Sequence, residues 1–388
     1  MTGEAYDHMM AAVVLAAIFV ASVVVVPSLS YVNLLYLDQQ QLQNIALSAM
    51  KTILFDEGYP TNWGSMHGTN MFNETDVKRF GLAAQSDPSL YVLDPNKVYR
   101  LAYNPMGNIS FQRAQELLGL QGYGFSLIFR PLFNVSRNVN IQTPNDYTAT
   151  VTFSANVSRF DGQPVPNAIV RATIIYAVES TEGFFTGTQE IFAMTDSLGR
   201  SSGNKTIIVD KTSDIRDVLV IFRITVAGRA TMVVSSQDTR SPDDIAKINV
   251  VGNTIILTIP EDVPGSNDAR WITDIMMYNF ETSINLLNGT GTGGDNKLNY
   301  GSDIVWSQAF NGLDESEPGI LVITFRTETL GPGGRTLAVL IGPYGLWGQS
   351  GVMQFNNVPV SSGASACIQR DVIIAGMAYV AELRLWKT

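Results

Sequence analysis

The sequence predicts a mainly β protein carried on one long N-terminal α-helix, with a small α/β head and two antiparallel β-sandwich domains after a membrane-spanning stretch. Three observations predict it. An uncharged apolar run occupies Met9 to Val26, period-two alternation of apolar and polar residues recurs from Thr150 onward, and Gly-rich loops such as NGTGTGGDN separate the later β-type segments. The expected organisation is residues 1–56 as a transmembrane and amphipathic helix and 57–145 as a mixed α/β head and linker. Residues 146–236 are expected to form an antiparallel β-sandwich, and 243–388 a C-terminal sandwich.

The run from Met9 to Val26, extended through Ser30, is about the 20 residues that cross a bilayer core as a helix. A cleaved secretory signal competes with this anchor reading, because Ser28 and Ser30 are small residues just before Tyr31. Against it, no Lys or Arg precedes the run; the first basic residue is Lys51, so flanking charge sets no orientation either. Beyond Pro27 the pattern stays helical. Leu35, Leu42, Ala46, Ala49 and Ile53 recur at helical spacing beside Asp38-Gln39-Gln40-Gln41, which predicts one helix continuing to about Leu54 and stopped by Gly58 and Pro60.

The next segment predicts Trp63 in a loop, a short helix near Thr75 to Phe80, and a helix from Ser110 to Leu118 with Ser110 as N-cap and Gly119 as stop. Gly122 to Asn134 reads as a strand whose end Pro131 pushes to a sheet edge, and Asn138 to Asn145 as a linker. In the middle module Val151, Phe153, Ala155 and Val157 alternate with Thr152, Ser154 and Asn156, and Asp161-Gly162 makes a turn. Val170 to Val178 and Val218 to Val226 repeat the scheme, with Arg171, Thr173 and Arg223 on the outer face. In the last region strands are expected at Val251 to Ile259, Gly319 to Thr327, Thr336 to Ile341 and Asp371 to Trp386, with Glu382 and Arg384 on the outer face of the last.

The chain has 388 residues, 25 Lys plus Arg against 35 Asp plus Glu, a net charge of −10 and no basic run, which removes the electrostatic basis for nucleic-acid binding. Cys367 is the single cysteine, and His8 and His67 are the two histidines, so disulfide frameworks and Cys/His zinc sites are excluded by count. No G-x-S-x-G elbow surrounds any serine, and no cofactor motif is present; GTGTGG at Gly289 to Gly294 lacks a following Gly-Lys-Ser/Thr. No catalytic, cofactor or metal residues are assigned, and the chain reads as a non-enzyme.

Other clusters have specific readings. Asp314, Glu315 and Glu317, Asp243 with Asp244, and Glu261 with Asp262 read as solvated turns before they read as acid/base pairs. These loops, with Asp295, Asn296 and Asp303, are also the place where a Ca²⁺ or a surface glycan would be held. Trp271, Trp306, Trp347 and Trp386 read as packing groups. Six N-x-Ser/Thr sequons, at Asn73, Asn108, Asn134, Asn156, Asn204 and Asn288, all follow the apolar run and are the candidate N-glycosylation sites.

An acidic, small N-terminus, the apolar run with Pro27, the amphipathic extension, and then GYPTNWGS, KRFGLA, LDPNKVYRL and ELLGLQGYGFSLIF together resemble archaeal type IV pilin-like surface proteins over residues 1 to about 133. Family members are processed after a glycine preceded by basic residues, whereas Gly3 here follows Thr2. DGQPVPNAIVRATI with FAMTDSLGRSSG resembles immunoglobulin-like and carboxypeptidase-regulatory-like modules of cell-surface proteins, which are spacers or binding platforms. These resemblances imply a single-pass, membrane-anchored extracellular surface protein, structural or adhesive, with a pilin-like filament or homo-oligomer and other cell-surface proteins as partners. Two rivals stay open: a tethered receptor or substrate-binding module recognising a glycan or Ca²⁺ through the C-terminal loops, and an extracellular carboxylate-dependent hydrolase.

Overall fold

The computed structural model describes residues 2–66, 72–84, 91–102, 107–180, 183–236, 247–251, 254–259, 270–278, 283–285, 297–298, 304–309, 320–327, 335–341, 352–356 and 365–388. The chain is mainly β. Among the described residues its α-helices are α1 (Thr2–Phe55), α2 (Pro95–Tyr99) and α3 (Phe111–Leu117).

α1 runs 54 residues without interruption, roughly 81 Å at 1.5 Å per residue, and ends one residue beyond the expected point. Gly58 takes φ +74°, and an added Cβ there would lie 2.8 Å from the Arg79 carbonyl oxygen and from Trp63 Nε1. Only glycine makes that exit. Asp56 secures the turn by accepting from the Gly58 N–H at 2.8 Å and from Arg79 Nε at 2.9 Å.

The head carries β1 (Val92–Leu93) and β2 (Tyr123–Pro131), and the sandwich begins at once with β3 (Phe133–Asn145) and β4 (Thr148–Arg159). The expected linker at Asn138 to Asn145 is therefore a strand. Val139 and Ile141 continue the inward rank of Phe133 and Val135 while Asn138, Asn140 and Gln142 face water, an alternation that pairs β3 to β4 over its whole length. The expected helix at Thr75 to Phe80 is only a 3-10 turn, Glu74–Asp76, while α3 starts on Ser110 as its N-cap, as expected.

β5 (Ile169–Ser180), β6 (Gly183–Met194), β7 (Arg200–Ile208), β8 (Asp214–Val226) and β9 (Arg229–Ser236) complete two facing sheets, β3-β4-β7 and β9-β8-β5-β6. Between them lie Val151, Phe153, Val157, Ile174, Val220 and Phe222, with the Phe153 and Phe222 rings edge-on at 5.2 Å. In the TDSLG turn, Asp196 Oδ1 accepts from the Leu198 and Arg200 N–H groups at 2.9 and 2.8 Å, and Gly199 takes φ +75°.

The second face of β5 and β8 is buried too. Ile175, Ala177, Leu219 and Ile221 belong to the core that also contains the α1 seat, and the run IVRATIIYAV is apolar nearly throughout because both faces are covered. Arg223, expected outside, is buried for the same reason, and its guanidinium pKa is pushed down to about 10 by burial and then by Arg171.

The third region contains β10 (Lys247–Val251), β11 (Thr254–Ile259), β12 (Arg270–Tyr278), β13 (Ser283–Asn285), β14 (Lys297–Leu298), β15 (Ile304–Ala309), β16 (Ile320–Thr327) and β17 (Arg335–Ile341). They form an antiparallel sheet β10-β11-β15 and another, β13-β12-β16-β17, with β14 beside β12. β17 packs on β8 and β9, and Tyr278 and Val322 enter the shared core.

The end of the chain departs from the expected plan. β18 (Met353–Phe355), β19 (Ser365–Ile374) and β20 (Met377–Lys387) return to the head: β20 lies between β19 and β2, β18 flanks β2, and β1 runs parallel to β19. The strand assigned by sequence to a sandwich spanning 243–388 thus pairs with the head strand β2 and, through Met377 opposite Ala230 of β9, joins the head strands to β9-β8-β5-β6 in one nine-stranded sheet. Met377, Tyr379, Ala381, Leu383 and Leu385 on one face meet the α1 core, while Ala378 and Val380 on the other join the sandwich core. A strand apolar on both faces has to be central; β2 lies between β18 and β20 only at Leu127–Phe129, and at Pro131 β20 is its one partner among the described strands, so the strand's end does reach an edge there.

Candidate functional surface

The described side chains of α1 divide it in two. From Leu42 the helix is gripped: Leu42, Ala46, Ala49, Met50, Ile53 and Leu54 are buried against β19, β20 and the head loops. The head closes over its end through the Leu82 N–H to the Ile53 carbonyl at 2.9 Å, the Ala83 N–H to the Asp56 carbonyl at 3.0 Å, and the Phe55 ring 4.8 Å from Tyr91.

From Tyr6 to Val20 every side chain is exposed, whichever way it points. The large apolar ones from Met9 to Val20 are 51% to 68% accessible. An apolar surface around the full circumference of a helix is not the stripe of a helix resting on its own domain. Among the described residues no helix is long and apolar enough to cross a membrane; the side chains of Ala21 and of residues 23–38 lie outside them.

The seat is stiffened by buried cations that sequence reasoning left unassigned. Asp94 caps α2, accepting from the Asn96 N–H at 2.9 Å, and stands 3.4 Å from the buried Lys97 ammonium, which donates to the Ala83 carbonyl at 2.9 Å. One turn on, Arg100 Nε donates to the Gly64 carbonyl at 3.0 Å and Nη1 to that of Gly107 at 2.8 Å. Its Nη2 donates to the Met66 carbonyl at 2.5 Å, and the guanidinium lies 4.6 Å from the centre of the Phe72 ring. Burial pushes the Arg100 pKa down to about 10. The signal was present in KVYR, two cations one helical turn apart in an apolar stretch.

A second pin joins the strands. Glu382 on β20, expected on an outer face, is 1% exposed. Its carboxylate accepts from Arg130 Nη1 of β2 and Gln369 Nε2 of β19, each at 2.8 Å, and from Arg384 Nε at 2.5 Å. Burial pushes its pKa up, but hydrogen bonds from Gln369, Arg384 and Arg130 outweigh that and hold it below the ordinary value. With its oxygens accepting from three donors on three strands and its side chain buried, the group fastens a sheet. Cys367, opposite Arg384 in register, is exposed, and its thiol pKa is raised by burial of its surroundings and by Glu382, away from the thiolate a nucleophile needs.

The carboxylate clusters at 243–244, 261–262 and 314–317, the loop residues Asp295, Asn296 and Asp303, His67, Trp347 and Asn288 lie outside the described residues. Among the described residues no group of three or more His, Cys, Asp or Glu could hold a metal ion. Trp386 is buried over Gly124, a packing role in keeping with its sequence reading. Asn73, Asn108, Asn134, Asn156 and Asn204 are all exposed, and Asn134, Asn156 and Asn204 share the outer face of the β3-β4-β7 sheet.

No family model matches the chain, and no curated protein matches it. Among solved structures it has similarity to a putative beta-galactosidase from Bacteroides fragilis, at 14% identity over 32% of this chain and 20% of that one, with a TM-score of 0.19. Red sea bream transglutaminase aligns at 10% identity over 60% of this chain and 33% of that one, TM-score 0.19. Trypsin-activated alpha-2-macroglobulin from Escherichia coli aligns at 9% identity over 62% and 18%, TM-score 0.20. Overlaps of that quality define neither a shared fold nor an activity, and the chain spans a third or less of each of those proteins.

Proposed function

We propose that this is a cell-surface protein held by the first part of α1, in the membrane or against the helices of neighbouring copies in a pilin-like filament, with its β domains projecting outward as a structural or adhesive body. One observation carries the reading. The 54-residue helix is seated in its own head only from Leu42 onward, while the described side chains from Met9 to Val20 form an uncharged apolar cylinder with nothing against it. Exposed apolar area of that size is stable in lipid or in a helix bundle and not in water.

The rest of the molecule supports a mechanical role. α1 enters the core beneath β19 and β20, and Lys97, Arg100 and Glu382 fasten head loops and strands by charged hydrogen bonds, so a pull on the sandwich is passed to the helix through paired strands. The resemblance of the first third to archaeal pilin-like proteins points the same way.

The test is protease added to intact cells producing the native protein. The account expects release of fragments from residues 57–388 while the helix stays with the cells; complete protection until lysis overturns it.

A further inference from the structure

We infer that Asn73 and Asn204 are N-glycan attachment sites of this protein and that the sequons at Asn108, Asn134 and Asn156 stay bare in the folded chain. The inference rests on the exterior placement proposed above and goes beyond it by choosing among sites that the sequence presents as equals.

A transferase must take hold of three consecutive residues, so a middle residue locked in a core withholds the tripeptide. Ile109 and Val157 are 0% exposed and Val135 is 5%, which fixes the sequons of Asn108, Asn156 and Asn134 to the body of the protein. In Asn73-Glu74-Thr75 and Asn204-Lys205-Thr206 no residue is buried. The first lies on the 3-10 turn of the head, the second on β7, an edge strand of its sheet.

The amide groups differ as well. Asn73 Oδ1 accepts from the Thr75 N–H at 3.0 Å and from the Thr75 hydroxyl at 2.9 Å. That pairing brings the two functional groups of the sequon together, polarises the amide carbonyl, acidifies the Nδ2 protons and leaves Nδ2 itself without a hydrogen bond among the described residues. Asn156 is the opposite case. In the orientation that satisfies both ends of its amide, Nδ2 donates to the Leu198 and Gly199 carbonyls at 3.3 Å each, so its nucleophilic atom is spent on the turn.

The donor is an oligosaccharide activated by a diphosphate leaving group at C1. The C1–O bond to phosphate breaks, the diphosphate departs with the electron pair, the Asn Nδ2–C1 bond forms, and one amide proton passes to a base of the transferase. Nothing is oxidised or reduced.

Glycopeptide mass spectrometry and intact mass of the full chain from its native cells test this. The expected result is glycan on the peptides containing Asn73 and Asn204, a loss of one glycan mass in each of Asn73→Gln, Asn204→Gln and Thr206→Ala, and no mass loss beyond the substitution itself in Asn156→Gln. A bare Asn73 or Asn204 peptide, or a glycan on Asn108, Asn134 or Asn156, overturns it. Protease treatment of the same intact cells separates the two failures: released domains with bare asparagines defeat this inference alone, and protected domains defeat the exterior placement with it.

Discussion

Glu382 shows how a single side chain can be misplaced by a correct pattern. Alternation along β20 puts it opposite Leu383 and Leu385, the face that a half-exposed strand turns to water, and the structure does turn it that way. What the pattern lacks is that Arg130 and Gln369, with Arg384 of the same strand, reach over it from strands 252 and 13 residues distant in sequence and cover it. No local signal encodes such partners. Arg223 was misread for the same reason, whereas the Asp94-Pro95 cap of α2 and the Ser110 cap of α3 are local devices that a sequence displays openly. The pKa of Glu382 is lowered in the folded state, so its contribution to stability is complete above its unfolded value of 4.5 and is lost as pH falls through the lower folded value. Replacing it with Ala removes the acceptor shared by Arg130, Gln369 and Arg384 and is expected to cost about 1–3 kcal/mol at neutral pH, because the two cations left behind are 34% and 44% exposed and water screens them. Glu382→Gln is expected to be less stable than the parent at pH 7 and to lose less on acidification below pH 4.5. Thermal unfolding from pH 2.5 to 7 checks both; parallel curves for parent and Gln variant would show that the carboxylate is not the pin described.

Elements were legible to the extent that their partners were near. α1, the first sandwich strands and the TDSLG turn follow from spacing and turn chemistry within a few residues. The destination of β18, β19 and β20 does not, because a two-faced apolar strand states that it is central without stating in which sheet. β20 bonds to β2 from Tyr123 opposite Lys387 to Pro131 opposite Tyr379, and to β19 along its whole length. Removing Met377–Thr388 therefore takes out a central strand and uncovers the face on which α1 is seated. The truncated chain is expected to lose the protease resistance of residues 91–131 and the near-ultraviolet signal of the buried Trp63. A truncated chain that kept both would mean that the head folds without its last strand.

At the scale of the molecule, a single connected core runs from the α1 seat through the head into the face shared by β5, β8 and β9, and a second lies inside the sandwich. That continuity makes the protein a lever rather than a string of beads: the sandwich is joined to the helix through β20, not through a flexible linker. The segment expected as a linker, Asn138 to Asn145, carries Asn138, Asn140 and Gln142 on the outward-facing rank of β3, and the inward rank of Val139 and Ile141 makes it a strand. The same continuity isolates the region of α1 before Leu42, where no described side chain is buried, as the part whose partner is elsewhere. The central claim is that this region, and not the β domains, holds the protein at the cell surface. The direct measurement is fractionation of cells expressing the full chain or a chain lacking residues 2–38, with an alkaline carbonate wash and thermal unfolding of both proteins. The account predicts the full chain in the washed membrane or filament pellet and the shortened chain in the soluble fraction, with melting temperatures of the head and sandwich unchanged. Equal retention of both chains in the pellet would contradict it.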